Sequence, residues 1–203
     1  MDDTTTPPSA PHLDDAQRRT LVALFDALLP PAPAGDDPAP AGDDPAPAVP
    51  GAGTAGGDRY VEQLLGAFDH DPPRIWAGGP TSGRHGGIDG FGDFLELSGW
   101  EALAWRRRIE GWAEAYRTGL TQLGEDFASL DESGRLERIE RLDPGFRDLA
   151  FEHACESLYG DPVYGGNRDG SAWAAIDFRG DTAPTGWTDD EVTNPHGPGG
   201  PTW

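Results

Sequence analysis

Apolar residues recur at helical spacing in six stretches of the chain, and no stretch alternates apolar and polar residues as a half-buried strand would. Leu21, Leu24, Phe25 and Leu28 form the clearest such face near the N-terminus. The predicted helices are 13–30, 58–68, 91–120 with a break near Ser98 and Gly99, 122–129, 131–142 and 145–159. The pattern therefore predicts an all-α fold, a small helical bundle.

Polar residues at the ends of these stretches support the predicted boundaries. Asp14 precedes the first apolar face and is followed three residues later by Gln17, the spacing of a reciprocal capping box. Asp131 is a candidate N-cap of the same kind. Pro30 and Pro31 end the first helix, because proline cannot continue it.

Segments rich in Pro and Gly divide the rest of the chain. Residues 1–12 are predicted to be disordered, 31–57 to be a linker, 58–160 to be the helical body and 161–203 to be an extended arm. The linker repeats Pro-Ala-Pro-Ala-Gly-Asp-Asp twice, which favours a semi-rigid polyproline II spacer. Residues 51–56 match the G-x-G-x-x-G dinucleotide pattern, but the Pro-rich residues before them cannot form the required strand. We interpret the match as chance.

The charge of the chain excludes two classes of partner. With 15 basic and 36 acidic residues the formal charge is −21, and all the basic residues are Arg. Such a field repels nucleic acid and anionic membrane surfaces. A salt-adapted host and a GC-rich genome would each produce this Lys-free, acidic composition, and the sequence leaves both open.

The cysteine count, the length of the apolar runs and the N-terminal residues bear on disulfide formation and on the compartment. One cysteine, Cys155, excludes an internal disulfide, and its place in a helical pattern predicts a small buried hydrophobe. The longest apolar run is too short for direct membrane insertion. The acidic N-terminus shows no export signal. We therefore expect a cytoplasmic protein, or one exported with a partner that carries the signal.

The sequence holds no recognisable catalytic constellation. Its five histidines are scattered, and only His153 lies in a predicted helix, where a satisfied or solvent-facing histidine is the ordinary interpretation. Nucleophile-elbow, P-loop and covalent-haem motifs are absent. We therefore predict no catalytic, cofactor-binding or metal-binding residue in this chain.

The C-terminal segment combines aromatic side chains with a Gly-rich, aperiodic frame. Such aromatics are ordered by packing on something else, either the chain's own helices or a partner, and we favour the partner. The glycines allow turns at positive φ, which asparagine also tolerates. The predicted partner-binding residues are Tyr164, Gly165, Gly166, Asn167, Trp173, Phe178 and Trp187.

Three blocks of the sequence resemble, in order, the gluconate 2-dehydrogenase subunit 3 family. The first is the opening helix, residues 13–30, and the second comprises Trp105-Arg106 with the later residues 116–120. The third and most specific is DPVYGGNRDGSAWAAIDFRGD, residues 161–181, with its continuation to residue 192.

The resemblance implies a non-catalytic small subunit with no cofactor of its own. Members of this family bind and stabilise a large FAD-containing subunit of the glucose-methanol-choline (GMC) oxidoreductase type, which oxidises a sugar or another alcohol, and some complexes add a cytochrome c subunit. The chain departs from the family in lacking a twin-arginine signal and in carrying the Pro-Ala-Gly-Asp repeat. Two alternatives remain open: a cofactor-free adaptor or chaperone without a redox partner, and a stand-alone enzyme with an unrecognised site.

Overall fold

The computed structural model describes residues 12–33, 48–71, 73–75, 97–176 and 178. These ranges contain six α-helices, short 3₁₀ turns and no β-strand, which confirms the predicted all-α class. The helices are α1 (Asp15–Leu28), α2 (Asp58–Leu65), α3 (Gly99–Leu123), α4 (Glu132–Glu140), α5 (Pro144–Tyr159) and α6 (Ser171–Ala175).

Helix α1 lies at the centre of the bundle and contacts α2, α3, α4 and α5. Its face carries Leu21, Leu24 and Phe25, which are fully buried in the hydrophobic core. The predicted capping box is confirmed: the Gln17 amide donates to the Asp14 carboxylate at 2.8 Å, and the Asp14 amide donates to the Gln17 side chain at 2.9 Å. The helix predicted as a separate N-terminal element is thus the core of the body.

The prediction of a linker over 31–57 is wrong for residues 51–57. Residues 53–57 form a π-helical turn, and all of 51–57 except Thr54 are buried against α1 and α5. A Cβ on Gly53 would lie 2.1 Å from the Val22 carbonyl oxygen, so only glycine allows this approach. The Gly pattern that we interpreted as chance is therefore explained by backbone packing, not by a nucleotide site.

The remainder of the predicted linker begins and ends at one place in the fold. Ala32 and Val49 exchange both backbone hydrogen bonds, each at 3.0 Å, in an isolated antiparallel bridge. Residues 34–47, which hold most of the repeat, lie outside the described residues. Because Ala32 and Val49 are paired and the π-turn packs on α1, the chain before and after residues 34–47 belongs to one body, which contradicts a spacer between two bodies.

Two helices of the second half end at other residues than predicted: α3 continues past residue 120 to Leu123, and α4 ends at Glu140 instead of residue 142. Ser98 caps α3, and the part of the prediction before residue 97 lies outside the described residues. Gly124, at φ 85°, ends α3, so the helix predicted over 122–129 is only a 3₁₀ turn at Phe127–Ser129. Asp131 caps α4 as predicted. Cys155 is a free thiol that is only partly buried, less than its helical pattern predicted.

His12, which the sequence predicted to be disordered, is part of the described structure, and residues 1–11 lie outside the described residues. The backbone amides of His12 and Leu13 donate to the Glu62 carboxylate at 2.7 and 3.1 Å. Arg18 lies 3.0 Å from the same carboxylate, which ties the start of α1 to α2. Among the described helices, none combines the length and the apolar character that crossing a bilayer requires.

Candidate partner-binding site

Residues 161–176 are folded, not extended as the sequence predicted. Asp161 accepts the Val163 amide at 2.8 Å and starts a 3₁₀ turn, Pro162–Tyr164. A second turn, Arg168–Gly170, leads directly into α6. The segment packs on α2 and α5, so the alternative in which it folds back on the chain's own helices holds for these residues.

Asn167 is the buried polar centre of this segment. Its backbone amide donates to the Ser157 carbonyl at 2.6 Å, and its side-chain amide donates to the Gly160 carbonyl at 3.1 Å. Its side-chain oxygen accepts the Ala172 amide at 3.0 Å, which satisfies a donor at the start of α6. The residue has left-handed backbone angles (φ 42°, ψ 52°), which asparagine tolerates better than most residues. Asn167 therefore joins the end of α5 to the beginning of α6.

The two glycines before Asn167 have different roles. Gly165 adopts φ 96°, a conformation that side chains disfavour, and this turn redirects the chain after the first 3₁₀ turn. At Gly166 the constraint is space, since a Cβ would lie 2.1 Å from the Ser157 carbonyl oxygen. Both glycines serve the fold of the segment itself.

Trp173 is largely buried, with 9 % of its surface exposed. Its indole N–H donates to the Tyr159 carbonyl at the end of α5, at 2.8 Å. The ring of Phe178 meets the indole edge-on, with 4.9 Å between centroids, and the Phe178 amide donates to the Trp173 carbonyl. The buried Trp173 thus fixes the position of the exposed Phe178.

Around Trp173 three large apolar side chains face solvent: Tyr159, Ile176 and Phe178 are 46, 55 and 48 % exposed. We call these three residues the Trp173 surface. Sequence reasoning named Phe178 but missed Tyr159 and Ile176. Tyr159 lies at helical spacing from Phe151 and Cys155, off the buried face of α5, and that spacing could have revealed it.

The seven predicted partner-binding residues thus fall into separate groups. Gly166, Asn167 and Trp173 are buried in the chain's own fold, and Gly165 is half-buried at a turn. Tyr164 is half-buried and lines a recess, whereas Phe178 is exposed. Trp187 lies outside the described residues.

The recess lies between α2, α3 and the turn after α5, with a volume of about 360 Å³. Its walls are mainly apolar and include the rings of Tyr60, Trp105 and Tyr164. The Tyr60 hydroxyl donates to the Glu156 carboxylate, and burial followed by this hydrogen bond raises the pKa of Tyr60. Burial likewise raises the pKa of Tyr164, so both phenols stay protonated at neutral pH.

His153 lies in the core and is satisfied there, in line with the ordinary interpretation of a helix histidine. Only 1 % of its surface is exposed, and its Nδ1 lies 2.9 Å from the Tyr116 hydroxyl. Trp112 and Tyr60 meet the imidazole edge-on, at centroid distances of 4.8 and 5.9 Å. Burial lowers the pKa of His153 to about 4, so the ring is neutral at pH 7. An enclosed, neutral imidazole of this kind supports packing rather than proton transfer to a ligand.

The described residues contain no group of three or more His, Cys, Asp or Glu placed to hold a metal ion.

Comparison with known proteins identifies no relative: no family model, no curated protein and no solved structure matches the chain.

Proposed function

We propose that this chain is a non-catalytic small subunit that binds and stabilises the FAD-containing catalytic subunit of a sugar or alcohol dehydrogenase. The oxidation would be carried out by the partner, which supplies the flavin. The link to a GMC-type flavoprotein rests on the resemblance of residues 161–192 and of the two earlier blocks to the gluconate 2-dehydrogenase subunit 3 family.

The observation that carries the proposal is the architecture of the segment with the most specific resemblance. Asn167 and Trp173 donate hydrogen bonds to carbonyls at the C-terminal end of α5, Phe178 packs on Trp173, and both Phe178 and Ile176 are exposed. Exposed aromatic and aliphatic side chains on a hydrogen-bonded support are the arrangement expected of an interface anchor, since a support that is already folded loses less conformational entropy on binding.

The experiment is to purify the tagged chain from its native host and to record the visible absorption spectrum and the stoichiometry of the material. A large yellow partner in fixed ratio supports the proposed subunit. Sugar and alcohol oxidation can then be assayed on the purified complex, with an artificial electron acceptor.

The same purification distinguishes the two alternatives. Binding of many unrelated proteins without flavin would support an adaptor or chaperone. A colourless, monomeric and well-folded product would contradict the subunit proposal, and a turnover by that monomer would identify a stand-alone enzyme.

A further inference from the structure

The recess is lined by aromatic rings from three separate parts of the fold. Tyr60 lies on α2, Trp105 on α3 and Tyr164 in the turn that follows α5. Leu64 and Ile75 complete the apolar part of the wall. The volume of about 360 Å³ falls within the range of small-molecule sites.

Charge in the recess is acidic on balance. Among the described residues that line it, Glu156 and Asp161 are carboxylates and Arg74 is a cation, which leaves one net negative charge in this set. The Tyr60 hydroxyl holds the Glu156 carboxylate at the wall. The whole chain adds a field of formal charge −21, which attracts cations and repels anions.

The rings at this end of the molecule already take up positive charge within the structure. The guanidinium of Arg108 lies 4.7 Å from the centroid of Trp105, and that of Arg106 lies 4.3 Å from the centroid of Phe68. Aromatic faces beside carboxylates attract cations that carry apolar groups, because the ring quadrupole and the carboxylate act on the same charge.

From these observations we propose that the recess is a binding site for a small alkylated ammonium ion, of the quaternary ammonium class. The rings of Tyr60, Trp105 and Tyr164 contact the alkyl groups, and Glu156 and Asp161 balance the charge. Gln63 contributes less, because its side-chain amide already donates to the Val163 carbonyl at 3.0 Å. This site is independent of the Trp173 surface and of the proposed flavoprotein partner.

The test is a calorimetric titration of the full chain with choline and with 3,3-dimethylbutan-1-ol, the neutral carbon analogue of choline. Choline is expected to bind about tenfold more tightly than the alcohol, the difference that one desolvated cation–π and carboxylate contact supplies. Glu156→Gln keeps an acceptor for Tyr60 and is expected to weaken choline binding by about fivefold while leaving the alcohol unchanged. Trp105→Leu is expected to weaken both ligands.

Two outcomes would overturn the proposal. Equal affinity for choline and the alcohol would show an apolar cavity without preference for charge. The absence of any heat from choline up to about 20 mM would show that the recess does not bind this class of cation. Both outcomes are measured on the wild-type chain. The proposal can therefore be tested even if Glu156→Gln or Trp105→Leu fails to fold.

Discussion

Asn167 and His153 are buried polar side chains whose hydrogen-bond partners lie within the protein. The Asn167 side chain donates to the Gly160 carbonyl and accepts from the Ala172 amide, whereas His153 pairs with the Tyr116 hydroxyl and is enclosed by aromatic rings. A buried polar group that loses its hydrogen-bond partner costs free energy. Replacing either side chain should therefore destabilise the fold.

Asn167→Ala should destabilise the protein by about 3 kcal/mol. The change leaves the Gly160 carbonyl and the Ala172 amide without their partner and places alanine in a left-handed conformation. Urea unfolding followed by circular dichroism measures the loss. Arg168→Ala, at the exposed neighbouring position, is the matched control and should change stability by less than about 0.5 kcal/mol. Equal effects of the two changes would contradict the role assigned to Asn167.

His153 should make the fold sensitive to mild acid. The pKa of its imidazole falls from 6.5 to about 4 on folding, so the unfolded chain binds the extra proton between these values. The stabilisation from the neutral ring is therefore complete above pH 6.5 and is lost as the pH falls toward 4, by about 3 kcal/mol in total. Thermal unfolding from pH 7 to pH 4 measures this slope.

A non-titrating variant isolates the contribution of His153 from that of the carboxylates. Hydrogen bonds from Ser98 lower the pKa of Glu101, and those from Arg138 lower the pKa of Asp126, so these two exposed groups add their own acid sensitivity. His153→Gln retains a polar partner for Tyr116 and should flatten the slope between pH 6.5 and 4. An unchanged slope in this variant would show that the imidazole is not the group responsible.

At the scale of elements, the paired ends of the Pro-Ala-Gly-Asp segment allow a clean shortening. Replacement of residues 34–47 by Asn-Gly retains the Ala32–Val49 bridge and closes a much shorter loop. Loop-closure entropy predicts a gain in stability of about 1 kcal/mol, measured by urea unfolding. A deletion of 31–50 removes the bridge itself and is the comparison variant. Destabilisation by the first change would show that the segment packs on the body.

Capped helices could be predicted from the sequence, because their signals are local. Asp14 with Gln17 and Asp131 before α4 each satisfy backbone donors of their own helix, and the structure has both. The apolar face of α1 was equally visible, since helical spacing alone defines it.

The glycine-rich parts could not be predicted, because their packing depends on distant backbone. Position 53 requires glycine because the Val22 carbonyl lies against its backbone. No sequence pattern within 51–57 reveals that contact. Residues 161–176 fold through left-handed turns and side-chain-to-backbone bonds at Asn167, which hydrophobic periodicity does not detect. Of the candidate site, the sequence thus indicated the segment and Phe178, but it did not separate the buried anchors from the exposed residues.

At the scale of the whole molecule, the Trp173 surface and the recess lie at different places on the described part of the helical bundle. The Trp173 surface is exposed and apolar, and the recess between α2 and α3 is partly enclosed and acidic. Around them the chain is strongly acidic, which favours solubility and opposes binding to polyanions. A partner on the Trp173 surface would therefore be recognised by apolar contact, with an electropositive rim as its expected complement.

The most direct test of the proposed subunit is the ratio of flavin to chain absorbance after purification from the native host, compared among three forms of the chain. Wild type should retain a stoichiometric flavoprotein, and Ile176→Asp with Phe178→Asp should lose most of it while the isolated chain still unfolds cooperatively on heating. Leu136→Asp, at a similarly exposed apolar position on α4, should retain the partner. A wild-type preparation without flavin, or equal retention by all three forms, would contradict the account.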